Sequence, residues 1–275
     1  QLVYTNGADR DNIVAPKFCS TIFELLGSVL ALNYNHLGWN NEDVSKLGIV
    51  LPLCGELRKL ELQHNSFSCL PESLGELQVL ESLYLSDCTS LTSLPQSLGR
   101  LQALQKLQLA GCTALTSLPE SLGRLQALQT LYLTKCSSLT SVPESMGRLQ
   151  ALQELQLIGC TAMTSLPESL GQLQALQELY LKGCTSLTSV PESTGRLQAL
   201  EKLFLGGCSS LTSLPESLGQ MHALQQLSLF GCTSLTSLPE SLGQVQALQK
   251  LDLSYCTSLT TLPRSFEQLQ AKILQ

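Results

Sequence analysis

The hydrophobic pattern of this chain is a leucine pattern with a fixed phase. From Leu70 to Thr261 the order of apolar and polar positions recurs every 24 residues through eight units. One unit reads Leu104-Gln-Lys-Leu107-Gln-Leu109-Ala-Gly-Cys112-Thr-Ala-Leu115-Thr-Ser-Leu118-Pro119-Glu-Ser-Leu122-Gly123, and Leu125 leads to Leu128, which opens the next. The alternation around Leu107 and Leu109 predicts a short strand with its leucines inward and Lys106, Gln108 and Ala110 outward. Cys112 ends the strand, and Leu115 and Leu118 refill the interior. Pro119 presets φ for a short helical turn, and Gly123 is expected to end that turn at positive φ. Identical units in tandem predict a solenoid: strands stack as a parallel sheet on the compact inner face, helical turns lie outside, and the stack curves.

The ends depart from the period. Residues 1–28 read as an N-terminal cap or an eroded first coil, with a short helix over Phe18–Leu26, and the repeat array occupies 29–261 as about ten coils. Val29–Asn33 reads as the first strand and puts Asn35 where later coils carry Cys; the next coil carries Asn65 there. The segment His36–Lys46 lengthens the first coil and holds the only Trp, Trp39, read as covering an apolar edge or, less simply, as a partner anchor. In 262–275, Phe266, Leu269 and Ile273 fall on one helical face and predict a closing coil or helix.

Eight of the 11 cysteines stand in register, from Cys88 through Cys112, Cys136, Cys160, Cys184, Cys208 and Cys232 to Cys256. Neighbouring coils lie roughly 4.8 Å apart, too far for the ~2.05 Å of a disulfide. They read as reduced, buried thiols donating weakly to turn backbone. Without a C-x-x-C pair, a metal ladder is disfavoured. Reduced thiols and the absence of an N-x-S/T sequon predict a cytosolic or nuclear compartment, of which the cytoplasmic one is expected. The net charge of −6 argues against nucleic acid. No apolar run has membrane-spanning length. The chain opens at Gln1 without a secretory leader, so it reads as a processed chain or, the simpler reading, an excerpt of a longer protein, monomeric as this fragment.

Outside the strands the units are near copies. On the outward strand positions they differ, and aromatics gather there although they are scarce elsewhere. Mixed charge with exposed aromatics is the composition of a protein-binding surface. The candidate site is therefore Tyr84, Lys106, Gln108, Tyr132, Glu154, Gln156, Glu178, Tyr180, Lys182, Lys202, Phe204, Phe230 and Asp252. Drift between duplicated units explains the variation but not the aromatic clustering.

Elsewhere the readings are structural. Glu120 and Arg124, like Glu144 with Arg148, have i,i+4 spacing and predict pairs along the turns. Thr194 replaces Leu or Met and predicts local loosening. The Thr column, Thr92 to Thr260, is regular enough to order water as ice-binding solenoids do, although hydroxyls satisfying backbone are the simpler reading. No phosphate loop, zincin motif or nucleophile elbow is present. His36, His64 and His222 are far apart in the coil order and build no triad. The chain is expected to be no enzyme and to need no cofactor or metal.

The motif L-x-x-L-x-L-x-x-C-x-x-L-x-x-L-P-x-x-L-G resembles the leucine-rich repeat, with Cys where Asn is commoner. Stretches such as Cys184-Thr-Ser-Leu-Thr-Ser-Val190-Pro191-Glu-Ser and Cys232-Thr-Ser-Leu-Thr-Ser-Leu238-Pro239-Glu-Ser resemble the repeat region of plant nucleotide-binding disease-resistance proteins, over about Leu47–Pro263. The extracellular plant repeats instead carry L-x-G-x-I-P. The resemblance implies an α/β fold, a curved leucine-rich-repeat solenoid with a concave parallel sheet and convex helical turns. It implies a non-catalytic sensor whose protein partner is an effector, a guarded host protein or the receptor's own switch domain. A constitutive scaffold or intramolecular clamp is the alternative.

Overall fold

In the computed structural model, which describes residues 25–265, the chain winds through ten stacked coils. Each gives one three-residue strand: β1 (Ala31–Asn33), β2 (Lys59–Glu61), β3 (Ser82–Tyr84), β4 (Lys106–Gln108), β5 (Thr130–Tyr132), β6 (Glu154–Gln156), β7 (Glu178–Tyr180), β8 (Lys202–Phe204), β9 (Gln226–Ser228) and β10 (Lys250–Asp252). They form a single parallel sheet in chain order. The register is one coil to the next: Lys106 lies beside Thr130, Leu107 beside Leu131 and Gln108 beside Tyr132. The sheet lines the concave face of a curved leucine-rich solenoid, and 3-10 turns from Glu72–Glu76 to Glu240–Gln244 line the convex face.

The interior is a column for every repeat position. Leu107, Leu109, Leu115, Leu122, Leu125 and Leu128 are wholly buried, and their equivalents continue above and below. Each buried leucine contributes about 1.5–3 kcal/mol, but it packs against copies of itself in neighbouring coils, so no coil is a folding unit alone. The cysteine column is continuous with this core. Every thiol from Cys88 to Cys256 donates to a backbone carbonyl of the preceding coil, as Cys112 does to Leu85 at 3.2 Å and Cys160 to Leu133 at 3.2 Å. All the described cysteines are free thiols.

Several expectations are corrected. Gly123 does not carry positive φ; it lies inside the turn Glu120–Arg124. Its missing side chain makes room for the next coil, since a Cβ there would lie 2.2 Å from the Ser145 carbonyl oxygen. Positive φ falls instead on the residue before the cysteine, as at Gly111 (φ 77°) and Lys135 (φ 63°). The first strand is shifted by two residues: Ala31, not Val29, pairs with Lys59. Leu37, not Asn35, thus occupies the cysteine position of that coil. The long segment after it is a helix, Asn41–Val50, that buries Val44 and Leu47. Asn40 caps it, accepting from the amides of Glu42 and Asp43, while Asp43 accepts from the Asn40 amide.

Glu120 pairs with the next coil instead of with Arg124. Its carboxylate accepts from the Ser145 amide at 3.3 Å, and Glu144 and Glu168 do the same for Ser169 and Ser193 at 3.2 Å. The donors are turn-start amides with no partner in their own turn. Thr194 does not loosen its coil: it is wholly buried and its hydroxyl donates to the Pro191 carbonyl at 2.6 Å. The expected helix over Phe266–Ile273 and most of the N-terminal cap lie outside the described residues.

Candidate functional site

Alternation puts two outward residues of each strand on the concave face, with a third outward position beyond it. Because the strands are short and in register, equivalent side chains stand in columns along the solenoid axis. The predicted site residues among them are half-buried, except Lys182 and Phe230, which are exposed.

Three groupings divide the predicted residues. In the first coils the Lys59 ammonium lies 5.2 Å from the Tyr84 ring centre, and Lys106 lies between two rings, 5.6 Å from Tyr84 and 5.4 Å from Tyr132. These are cation–π distances, and Gln108 lies between Tyr84 and Tyr132 in the register. In the middle, Glu154 accepts from the Tyr132 hydroxyl at 2.8 Å and from Gln156 Nε2 at 2.6 Å. Glu178 accepts from the Tyr180 hydroxyl and, at 2.6 Å, from the Lys202 ammonium. Toward the last coils, Tyr180 stacks on Phe204 with ring centres 5.1 Å apart, and Phe230 meets Tyr255 edge-on at 5.0 Å.

The electrostatics follow from this packing. Burial pushes the Tyr132 phenol up to about 12, helped by its bond to Glu154. Burial and then Glu178 raise Tyr180 in the same direction. Glu178 is held below the usual carboxylate range by Lys202 first and Tyr180 second, against the desolvation that opposes them. The middle of the face is a network whose hydrogen-bonding groups are already engaged, whereas toward the last coils the stacked rings Tyr180–Phe204 and the edge-on pair Phe230–Tyr255 bring apolar surface to the face.

A hollow of about 470 Å³ opens there, lined by Ile158, Tyr180, Lys182, Phe204, Gly206, Ser228, Phe230 and Asp252. The predicted set held Tyr180, Lys182, Phe204, Phe230 and Asp252 and missed Ile158 and the small residues Gly206 and Ser228. A Gly and a Ser carry no chemistry of their own, and only their absence of bulk marks them. Tyr255 was missed because it occupies the left-handed position before Cys256, outside the strand.

A larger hollow, about 700 Å³, lies on the convex face among Glu120, Arg124, Glu144 and Arg148. Its charges alternate in sign, and its glutamates already bind backbone amides. At the first coils, His36 and His64 are not apart: their rings stack 4.0 Å between centres, and His64 Nε2 lies 3.6 Å from Asp87. Adjacent coils bring together residues that the sequence holds 28 positions apart. Trp39 stacks on Tyr34 at 4.4 Å against the core edge. In the Thr column, Thr188, Thr212 and Thr236 point their hydroxyls at carbonyls of the preceding coil at 3.5 Å, which supports the backbone-satisfying reading. Among the described residues no helix is long and apolar enough to cross a membrane, and no three metal-ligating side chains gather.

Comparison with known proteins places this geometry. Residues 21–157 match the family model "Leucine-rich repeat region", and residues 247–269 match "Leucine Rich Repeat". No curated protein matches the sequence. Among solved structures, the leucine-rich repeat domain of the type III effector XopL is similar at 26% identity and TM-score 0.72, covering 89% of this chain and 86% of that one. PEPR1, solved with AtPEP1, is similar at 26% identity and TM-score 0.52, over 88% of this chain and 40% of its own. The Arabidopsis receptor kinase HAESA, solved with the peptide hormone IDA and the co-receptor SERK1, is similar at 25% identity and TM-score 0.51, over 84% and 41%. The chain thus spans about two fifths of either of these two structures.

Proposed function

We propose, on the premise that this chain is a leucine-rich-repeat solenoid, that it is a non-catalytic recognition module binding a protein partner through its concave face. The observation that carries the reading is the placement of Tyr84, Tyr132, Tyr180, Phe204 and Phe230 on that one face. Buried aromatics beside charges are the anchors that dominate protein interfaces. The similar structures support it: PEPR1 was solved with AtPEP1 and HAESA with a peptide hormone and a co-receptor.

The finer reading is that the chain is the sensing region of an intracellular plant-type immune receptor, cytoplasmic and monomeric as this fragment. Its support is the L-T-S-L-P-E-S repeat and the column of reduced thiols. A scaffold or clamp on another domain is the second reading. It is favoured by the near-complete overlap with a domain of a larger effector.

Partner capture from plant cytosolic extract tests the proposal. The baits are the parent and a variant with Tyr84, Tyr132, Tyr180 and Phe204 changed to Ser, checked by circular dichroism. A partner held by the parent and lost from the folded variant is the expected result. Equal capture by both overturns the concave assignment, and capture by neither favours the clamp.

A further inference from the structure

We propose that the hollow over Gly206 is a specificity pocket for one large apolar side chain of the partner. The partner segment is extended, runs along the solenoid axis, and carries an acidic residue, an apolar residue two positions on and a basic residue two further. The proposal rests on the concave-face reading and names the partner's chemistry within it.

Gly206 is glycine for want of bulk. Its column holds Ala110, Thr134, Ile158, Lys182, Phe230 and Ser254 in other coils, so the backbone accepts side chains of every size. Its φ is not in the left-handed range. A Cβ there would meet the Phe230 carbonyl oxygen at 3.4 Å and Phe230 Cβ at 3.6 Å, close to ordinary contact. At Gly123, where the fold does require glycine, the corresponding distance is 2.2 Å. Beside Gly206 lies a second small residue, Ser228, its hydroxyl 3.7 Å from that Cβ position. The two make a floor, and Phe204, Phe230, Tyr180 and Ile158 make the walls. A side chain entering here gains burial on an aromatic surface that is already formed.

The rim supplies the charges. Lys202 is bound to Glu178, and the Tyr180 hydroxyl is turned to the same carboxylate. Lys182 and Asp252 are the lining residues with formal charge, and among the described residues neither is in an ion pair. Asp252 accepts from the Ser254 amide through one carboxylate oxygen, at 3.0 Å. They stand three strands apart, which at strand spacing is roughly 14 Å along the axis. An extended segment covers roughly that length in four residues and turns residues i, i+2 and i+4 to one side. An acidic i meets Lys182, an apolar i+2 enters the pocket, and a basic i+4 meets Asp252. A segment of opposite chain direction with the reverse order fits equally.

The test is fluorescence anisotropy of the whole chain with a labelled peptide, Ser-Glu-Ser-Phe-Ser-Lys-Ser. The comparison peptides carry Ala for Phe, or Lys for Glu. The parent is expected to bind the first about tenfold or more tightly than the Ala peptide. Gly206→Leu, which fills the pocket with a residue of a size its column already holds, is expected to erase that preference. Lys182→Glu alters an exposed side chain without touching the core. It is expected to weaken the Glu peptide about fivefold and to favour the Lys one. Equal binding of the Phe and Ala peptides, or undiminished preference in Gly206→Leu, overturns the proposal. A parent that binds none of the peptides yet loses its captured partner in the four-aromatic variant overturns the pocket and leaves the concave-face reading standing. Peptide binding without any captured partner supports the pocket and favours the clamp reading of the same face.

Discussion

The thiol of Cys136 donates to the carbonyl oxygen of Leu109, 3.2 Å away in the preceding coil. It is wholly buried, and the same bond recurs in each coil from Cys88 to Cys256, so the column stitches the strand ends together while filling the core. A thiol does both because it is small, apolar and still a donor. Cys136→Ala removes the sulfur and leaves the Leu109 carbonyl without this donor. It should cost about 1–3 kcal/mol, read as a lower urea midpoint with an unchanged slope.

The same burial sets the pH response. Desolvation raises Cys136 and Cys184 to about 12 and Cys88 and Cys232 to about 11, from 9.0. Above pH 9 the unfolded chain loses thiol protons that the folded chain retains. The stabilisation is therefore complete below pH 9 and is lost as pH climbs toward 11–12, at up to about 1.4 kcal/mol per pH unit for each thiol. Urea unfolding should show a flat midpoint on this account from pH 7 to 9 and a steep fall above. Alkylation at pH 8 mapped by mass spectrometry should label exposed Cys69 and spare Cys88 through Cys232 until denaturant is added.

Asn65 occupies the cysteine position where the coils are irregular. Its Nδ2 donates to the carbonyls of Leu62 at 2.8 Å and Tyr34 at 2.9 Å, and its Oδ1 accepts from the Trp39 amide at 2.9 Å. A thiol offers one donor and cannot replace this set. Asn65→Ala should cost about 2–4 kcal/mol by leaving buried backbone groups unpaired, and Asn65→Cys should recover only part of it. Equal unfolding midpoints for parent and Asn65→Ala would sink the argument.

The Tyr132 phenol carries a further signature. Burial comes first and the bond to Glu154 second among the causes that raise it to about 12. Glu154→Gln keeps the shape and removes the charge. Ultraviolet titration should move this tyrosine downward in the variant while it stays above the ordinary value, because the burial remains.

What could be read from the sequence was whatever the period repeats. Leu107 and Leu109 inward, Cys112 buried and Pro119 before a turn follow from alternation and the 24-residue phase alone. The phase fails at the first coil, whose strand pairs two residues later than its leucines suggest. There Asn40 and Asp43 carry a capping box with Val44, Leu47 and Leu51 behind it, a helix signal that a search for coils passes over. Contacts across coils were the harder part. Glu120 is four residues from Arg124 yet serves Ser145, and His36 finds His64, because stacking a 3-10 turn or a strand end on its neighbour outweighs closeness along the chain. On the concave face the aromatics announced themselves, but the hollow is made by Gly206 and Ser228, whose contribution is the volume they do not fill.

Gly123 gives the sharpest test of why these coils pack so closely. Its φ is ordinary, so alanine meets no backbone strain, and alanine is the better helix former. Local propensity therefore predicts that Gly123→Ala stabilises the turn. The stack predicts the opposite: the new methyl would lie 2.2 Å from the Ser145 carbonyl oxygen and 2.7 Å from Ser145 Cβ, and neither atom can move without shifting the next turn. Overpacking of this kind costs about 1–3 kcal/mol, and the same contact recurs between Gly147 and Ser169. Gly123→Ala should lower the urea midpoint by that amount, and Gly123→Ala with Gly147→Ala should lower it further, since each opens a different boundary. A midpoint equal to or above the parent's would mean that the coils can separate at the convex side, and that the sheet and the cysteine column hold them together alone.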